Sequence, residues 1–374
     1  MYAPGNNGVE ALGNILNGSV NPSGKTVDTW AYDFSTAATY ANAGVNGTHK
    51  IAQGGYVDYA ESIYVGYYWY ETADEEGYWD DVSNAYGTGY DGVVQYPFGY
   101  GLSYTDFEWT IEEVSVPTGG TIDKNSEITF SVYVENTGGV AGQDVVELYF
   151  SAPYTEGGIE KPSVKLGAFA KTGVLEPGMG ELLTLTVDLY QMSSYDVYDR
   201  NNNGFMGYEA EKGEYTVSLR TDAHTVATLS SEEKAEFVYT LGQDVRFDTD
   251  PVTGNPVTNR FTTYNNTTSG ASSTYVEKSL SDDAFAYSID GSDAGCNIQY
   301  MTRADFEKTF PQPTATRELS AEVVQKSYNI NAPKVDPADE MPVTGSKETE
   351  YTIYDMMGLE YDDPKWEAMV SQLT

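Results

Sequence analysis

The sequence predicts a mainly β, multidomain protein centred on an antiparallel β-sandwich, and three observations carry that reading. Residues 107 to 230 alternate apolar and polar side chains with a period of two; turn signals separate the runs; and the stretches on either side abandon the alternation. With 374 residues the chain is long enough for about two or three domains. Its 40% hydrophobic and 13% aromatic content exceeds that of a disordered acidic chain, which lacks the apolar area needed to offset conformational entropy.

In chain order, Val9, Leu12, Ile15 and Leu16 recur at helical spacing, with Asn6 or Asn7 placed as N-cap and Gly18 as the left-handed residue that ends the helix. Asn21-Pro22-Ser23-Gly24 is a turn, and Lys25 to Trp30 leaves it extended. A helix this short does not hold in water alone, so it calls for a sheet or helices supplied from elsewhere. Residues 51 to 107 are dense in Tyr, Gly and Trp, as in Tyr64-Val65-Gly66-Tyr67-Tyr68-Trp69-Tyr70. Rings at this density build a wall of packed loops and short strands; a sugar-binding surface is the sharper reading and a buried core the preferred one.

Ile128, Phe130, Val132 and Val134 then alternate with polar neighbours, Val145 to Phe150 forms an apolar run, and Leu183, Leu185, Val187, Tyr215, Val217 and Leu219 complete the pattern. Asn136-Thr137-Gly138-Gly139, Glu176-Pro177-Gly178 and Lys212-Gly213-Glu214 are the turns between them. About seven strands in about 120 residues match a sandwich of immunoglobulin or fibronectin type III size, and the lack of cysteine in this span favours the fibronectin type III-like variant. From 231 to 315 the regularity fades into a Thr-, Asn- and Ser-rich extended connector broken at Asp250-Pro251 and Asn255-Pro256. Arg317 to Lys326 reads as a short helix. Asp362 or Asp363 caps a last amphipathic helix that has Pro364 in its first turn and Trp366, Met369, Val370 and Leu373 on one face.

Charge and residue counts exclude several functions. The balance of 20 Lys+Arg against 57 Asp+Glu gives a formal charge of −37, which repels phosphate backbones and anionic bilayers. Nucleic-acid and membrane partners are not expected, and no stretch approaches the roughly 20 apolar residues of a membrane span. The first residues lack the basic and apolar segments of a signal peptide, so no compartment is assigned. Cys296 alone forms no disulfide framework, and His49 and His224 are too few for a histidine-rich metal site or a Ser-His-Asp hydrolase.

Several stretches carry a family resemblance. Pro4-Gly5-Asn6-Asn7-Gly8 through Asn21-Pro22-Ser23-Gly24-Lys25, Tyr64 through Thr72 and above all Phe98-Gly99-Tyr100-Gly101-Leu102-Ser103-Tyr104-Thr105-Asp106-Phe107 resemble glycoside hydrolase family 3, the β-glucosidase and β-xylosidase family. Gly142-Gln143-Asp144-Val145-Val146-Glu147-Leu148-Tyr149 and Leu175-Glu176-Pro177-Gly178 are similar to its fibronectin type III-like domain. Tyr300 to Phe306, Thr309-Phe310-Pro311 and the final helix resemble the connector and lead-in of members whose β/α barrel follows the sandwich domains.

The resemblance implies the end of an α/β sandwich domain over residues 1–107, a fibronectin type III-like domain over 108–230, an extended connector over 231–315 and a truncated barrel lead-in over 316–374. It implies a retaining β-glycosidase with no cofactor, whose nucleophile and general acid/base sit about 5 Å apart. The nucleophile is expected in a barrel beyond Thr374 and the acid/base before Met1, so no catalytic residue is assigned and the chain alone is expected to be inactive. Its partners would be a β-linked oligosaccharide or glycoside, met through the intact parent enzyme, and the barrel and upstream segments against which it packs. The alternative is a noncatalytic carbohydrate-binding or scaffold protein built on the sandwich; a split enzyme completed by separate chains is a third reading.

Two local candidates remain. Tyr78 and Trp79, bracketed by acidic residues in an expected exposed loop, form a candidate subsite that stacks on a sugar, with a solvated acidic loop as the preferred reading. Asp199, Asn201 and Asn203 in Asp199-Arg200-Asn201-Asn202-Asn203-Gly204 fit the start of a calcium loop. Ala210 stands where that loop needs a bidentate glutamate, with Glu209 and Glu211 on either side, so a polar hairpin loop is preferred.

Overall fold

A strand with one face on a core and the other toward solvent must alternate, and Glu127–Asn136 does so without interruption: Ile128, Phe130, Val132 and Val134 are fully buried while their neighbours are partly open. The computed structural model describes residues 8–41, 59–197, 199–257, 263–265, 274–276, 300–312, 351–360 and 363–370. Its strands are β1 (Trp30–Ala31), β2 (Val94–Tyr96), β3 (Phe107–Val114), β4 (Thr121–Ile122), β5 (Glu127–Asn136), β6 (Val145–Ser151), β7 (Lys165–Lys171), β8 (Gly180–Asp188), β9 (Ser194–Asp196), β10 (Gly207–Ala210), β11 (Gly213–Arg220), β12 (Glu236–Leu241), β13 (Val245–Phe247), β14 (Thr263–Asn265) and β15 (Thr274–Val276). Its helices are α1 (Gly8–Leu16), α2 (Tyr67–Glu75), α3 (Phe306–Thr309) and α4 (Pro364–Val370). The chain divides into two compact units, one up to Glu318 and one from Leu319 onward.

In the first unit, a three-stranded sheet ordered β3-β5-β8 faces a five-stranded sheet ordered β4-β12-β11-β6-β7. All pairs are antiparallel except β4 with β12, which is parallel. Between the sheets lie Phe130, Val132, Leu148, Leu185, Val217, Leu219 and Tyr239 in one continuous core. A third small sheet, β13-β10-β9, extends this body, and Tyr190, Tyr208 and Phe247 pack edge to face there.

The sandwich runs past residue 230. β12 lies between β4 and β11 and buries Tyr239 and Leu241, so the first residues of the expected connector are structural strand. The parallel partner of β12 is the two-residue β4, far away in sequence, and local periodicity cannot signal a pairing of that kind. The expected helix at 317–326 and the N-cap positions Asn6 and Asn7 lie outside the described residues.

β6 departs from alternation: all of Val145 to Phe150 are buried. Val146, Leu148 and Phe150 face the sandwich core, whereas Tyr149 joins Val164 and Ala223 in a second cluster packed by Tyr67 and Phe98. The strand is covered on both faces, which is why it reads as a continuous apolar run. What covers it is an aromatic layer built from residues 31–41 and 59–98. Trp69 and Tyr70 of α2, with Tyr64, Trp79 and Tyr90, form its centre, and Met301 and Phe306 close it. The Met301 N–H donates to the Ala60 carbonyl at 2.8 Å, and the Arg303 guanidinium meets Glu76 Oε1 at 2.6 Å and lies over the Tyr154 ring. Residues 300–310 therefore return to complete the core of the first hundred residues.

α1 ends at Leu16, and Gly18 follows with φ +77°, as its spacing predicts. Val9, Leu12 and Leu16 are exposed on it. In the second unit, α4 starts at Pro364 and the Asp363 carboxylate accepts the Lys365 N–H at 2.9 Å, while the Trp366 indole N–H donates to the Glu360 carbonyl. Among the described residues no helix is long and apolar enough to cross a membrane.

Candidate functional site

The joint between the aromatic layer and the sandwich is made by Phe98 to Tyr100. The Gly99 N–H donates to the Thr26 carbonyl and the Thr26 N–H to the Tyr100 carbonyl, both at 2.8 Å, while the Ala223 N–H donates to the Phe98 carbonyl. Gly99 has φ +84°, and a Cβ there would run into the Glu147 carboxylate of β6. Glycine is thus required twice, by the backbone and by the neighbour. Glu147 is 4% exposed and accepts the Tyr149 hydroxyl at 2.7 Å. Burial pushes its carboxyl up to about 7, against the lowering effects of that hydrogen bond and of Lys25.

Beside this joint, Glu71 of α2 bridges to the turn after β11. It accepts the Tyr90 hydroxyl on Oε1, and His224 Nδ1 lies 2.9 Å from Oε2. The Tyr90 and His224 rings stack at 3.8 Å and 8°. Burial depresses the imidazole, but the hydrogen bond and charge of Glu71, with Asp74 and Asp222, leave His224 above its ordinary pKa. Burial, with the Glu71 charge, pushes the Tyr90 hydroxyl far up, so it stays a hydrogen-bond donor. Both Glu71 oxygens are committed, and the cluster clamps two elements together.

An open depression of about 940 Å³ lies on the aromatic layer, with Tyr32, Phe34, Tyr40, Asn84 and Tyr86 in its lining. Tyr32 and Tyr86 stack at 4.0 Å, and Phe34 and Tyr86 are largely exposed. Its carboxylate among the described lining residues is Asp33, whose Oδ1 accepts the Ser35 N–H at 2.8 Å; that bond holds it below the usual carboxylate range. Exposed aromatic faces beside amide, hydroxyl and carboxylate groups are the surface chemistry that binds sugars. Tyr32 and Tyr86 lie far apart in the chain, so no local pattern joins them; the local signal is Asn84, which accepts the Tyr86 N–H in an Asx turn.

The expected exposed loop at Tyr78 and Trp79 is not one. Trp79 is 5% exposed, its indole N–H donates to the Tyr70 carbonyl at 3.2 Å, and Trp69, Tyr70 and Tyr78 surround it. Tyr78 packs on Trp69 and stacks with Phe310. The acidic neighbours Asp74 and Glu75 belong to α2, and the turn folds both aromatics inward. Trp79 offers no open face and only contributes to the lining of the depression, while Tyr78 is half-buried.

The Asp199 to Gly204 segment joins β9 to β10, as expected of a hairpin loop. Asp199 Oδ1 accepts the N–H groups of Asn203 and Gly204 at 2.8 and 3.0 Å, and Asn203 Oδ1 accepts that of Phe205. The side-chain amides of Asn201 and Asn203 both donate to Glu209 Oε2. Of the two glutamates that flank Ala210, Glu209 is the one that meets the loop; the spacing that points to Ala210 belongs to a loop followed by a helix, whereas a strand follows here. Among the described residues no three of His, Cys, Asp and Glu are grouped to hold a metal ion.

Residues 144–223 match the fibronectin type III-like domain family. Similar curated proteins include β-glucosidase A of Butyrivibrio fibrisolvens, 35% identical over 243 residues, covering 63% of this chain and 26% of that protein. A β-glucosidase of Ruminococcus albus is 32% identical over 228 residues, covering 60% of this chain and 20% of that protein. Among solved structures, β-glucosidase 3B of Thermotoga neapolitana, in complex with α-D-glucose, matches at 29% identity and a TM-score of 0.46, over 64% of this chain and 27% of that one. The chain is thus similar to β-glucosidases over some three-fifths of its length and carries a fibronectin type III-like domain. It spans about a quarter of the length of the curated relatives it matches.

Proposed function

We propose that this chain supplies noncatalytic architecture of a retaining β-glycosidase that hydrolyses β-linked glucosides, with the two reacting carboxyl groups contributed from outside these 374 residues. The observation that carries this reading is the 35% identity to a β-glucosidase over 63% of the chain. The chemistry agrees with it. A retaining mechanism needs two carboxyl groups about 5 Å apart facing one sugar, and the open depression has Asp33, engaged in a turn, among its described lining. The sandwich and the aromatic layer share the Phe98–Tyr100 joint, so together they form a rigid platform. The exposed rings of Tyr32, Phe34 and Tyr86 favour a direct contact with the glycoside on that platform.

The test is a hydrolysis assay with an aryl β-glucoside, together with cellobiose titration followed by intrinsic fluorescence. No turnover is expected from the purified chain. Tyr86→Ala should weaken a millimolar-range cellobiose signal if the depression contacts sugar. Turnover that co-purifies with the chain would overturn the reading.

A further inference from the structure

Glu209 is 1% exposed, and its two carboxylate oxygens are treated unequally. Oε2 takes the side-chain amides of Asn201 and Asn203, and Arg246 Nε approaches it at 3.9 Å. Oε1 is buried with no hydrogen-bond partner. A buried carboxylate oxygen left unpaired is costly unless something positive or a proton meets it.

The geometry points to a divalent cation site of the calcium type, formed by Asp199, Asn201, Asn203 and Glu209 where the β9–β10 loop folds over the buried carboxylate. Asp199, Asn201 and Asn203 hold alternating positions ahead of Gly204, the spacing that wraps side-chain oxygens around one hard cation. Glu209 supplies the closing carboxylate from the strand instead of from a helix. Cation binding would require each asparagine amide to rotate about its last side-chain bond, giving up the Asn203 N–H on Asn201 Oδ1 and the Phe205 N–H on Asn203 Oδ1 so that both carbonyl oxygens join the Glu209 carboxylate. The backbone carbonyl of Phe205 and water would complete the six to eight ligands that calcium takes. Arg246 does not replace the ion: its side chain is 42% exposed, it lies on the Oε2 side, and its guanidinium donates to the Asn203 carbonyl and rests over the Phe205 ring.

The test uses the full chain after EDTA treatment, titrated with Ca²⁺ by calorimetry and with Tb³⁺ by luminescence. Tyr195 and Tyr208, paired across β9 and β10 with ring centroids 5.0 Å apart, serve as the sensitising donors. One saturable site is expected, with a Kd of about 10⁻⁴–10⁻³ M. Saturating Ca²⁺ should raise the thermal midpoint by about 5 °C, and equal Mg²⁺, which demands a smaller octahedral cage, by much less. Glu209→Gln and Asp199→Asn should each weaken binding at least tenfold, and Glu108→Gln, an exposed carboxylate elsewhere, should leave it unchanged. Absence of heat, luminescence and midpoint shift in the wild-type chain at about 10 mM Ca²⁺ overturns the site without recourse to any variant. Wild-type affinity in a folded Glu209→Gln chain overturns the ligand assignment. Neither result bears on the glycosidase reading.

Discussion

Gly99 and Glu147 meet at the joint, and each constrains the other. An alanine at 99 must hold φ +84° and push a methyl group into the carboxylate, so Gly99→Ala should cost about 1–3 kcal/mol from the backbone alone and more from the clash. A thermal midpoint lowered by several degrees is expected, and an unchanged one would show that the joint yields freely. Glu147 sets a pH dependence whose sign follows from its raised pKa. The folded state binds its proton more tightly than the unfolded state, so stability is fullest below about pH 4.5 and falls as pH rises toward about 7. His224, also raised, acts in the same direction, losing its contribution as pH climbs through its folded value. Glu147→Gln should therefore be more stable than the parent at pH 8, by roughly 3 kcal/mol at most, with the gap closing near pH 4. Melting curves across that range give the comparison, and a gap that widens toward acid would reverse the assignment. The Phe98–Phe107 motif was legible in the sequence, but its contact with Glu147 was not, because nothing local ties a loop glycine to a strand carboxylate far along the chain.

Among the elements, legibility followed periodicity. β5, β8 and β11 alternate and were readable, as was the α1 stop at Gly18. Aromatic density around Tyr64–Tyr70 was read as core, and Tyr64, Trp69 and Tyr70 are buried there. Trp79 was harder: acidic neighbours suggested solvent, yet α2 points those carboxylates away while the turn behind it buries the indole. β12 was lost because its support comes from β4 and β11, a tertiary pairing that composition does not encode. The structure makes β12 essential, so Tyr239→Ala should lower sandwich stability on the order of 3 kcal/mol. A variant with an unaltered denaturant midpoint would restore residues beyond 230 to the status of connector.

At the scale of the molecule, the first unit joins an aromatic layer to a β-sandwich through β6, a strand buried on both faces, and residues 300–310 return to seal the layer. The full chain carries a formal charge of −37, which disfavours an anionic partner. The loop at Asp199 shows where sequence spacing and structure diverge usefully: the motif was visible, but the closing carboxylate was one residue away from its expected position, on a strand. The proposed role makes these residues platform rather than catalyst. Its most direct test is the steady-state rate of aryl β-glucoside hydrolysis by the purified 374-residue chain. The rate should equal the buffer background at every substrate concentration; saturable turnover that tracks the chain through successive purification steps would contradict it.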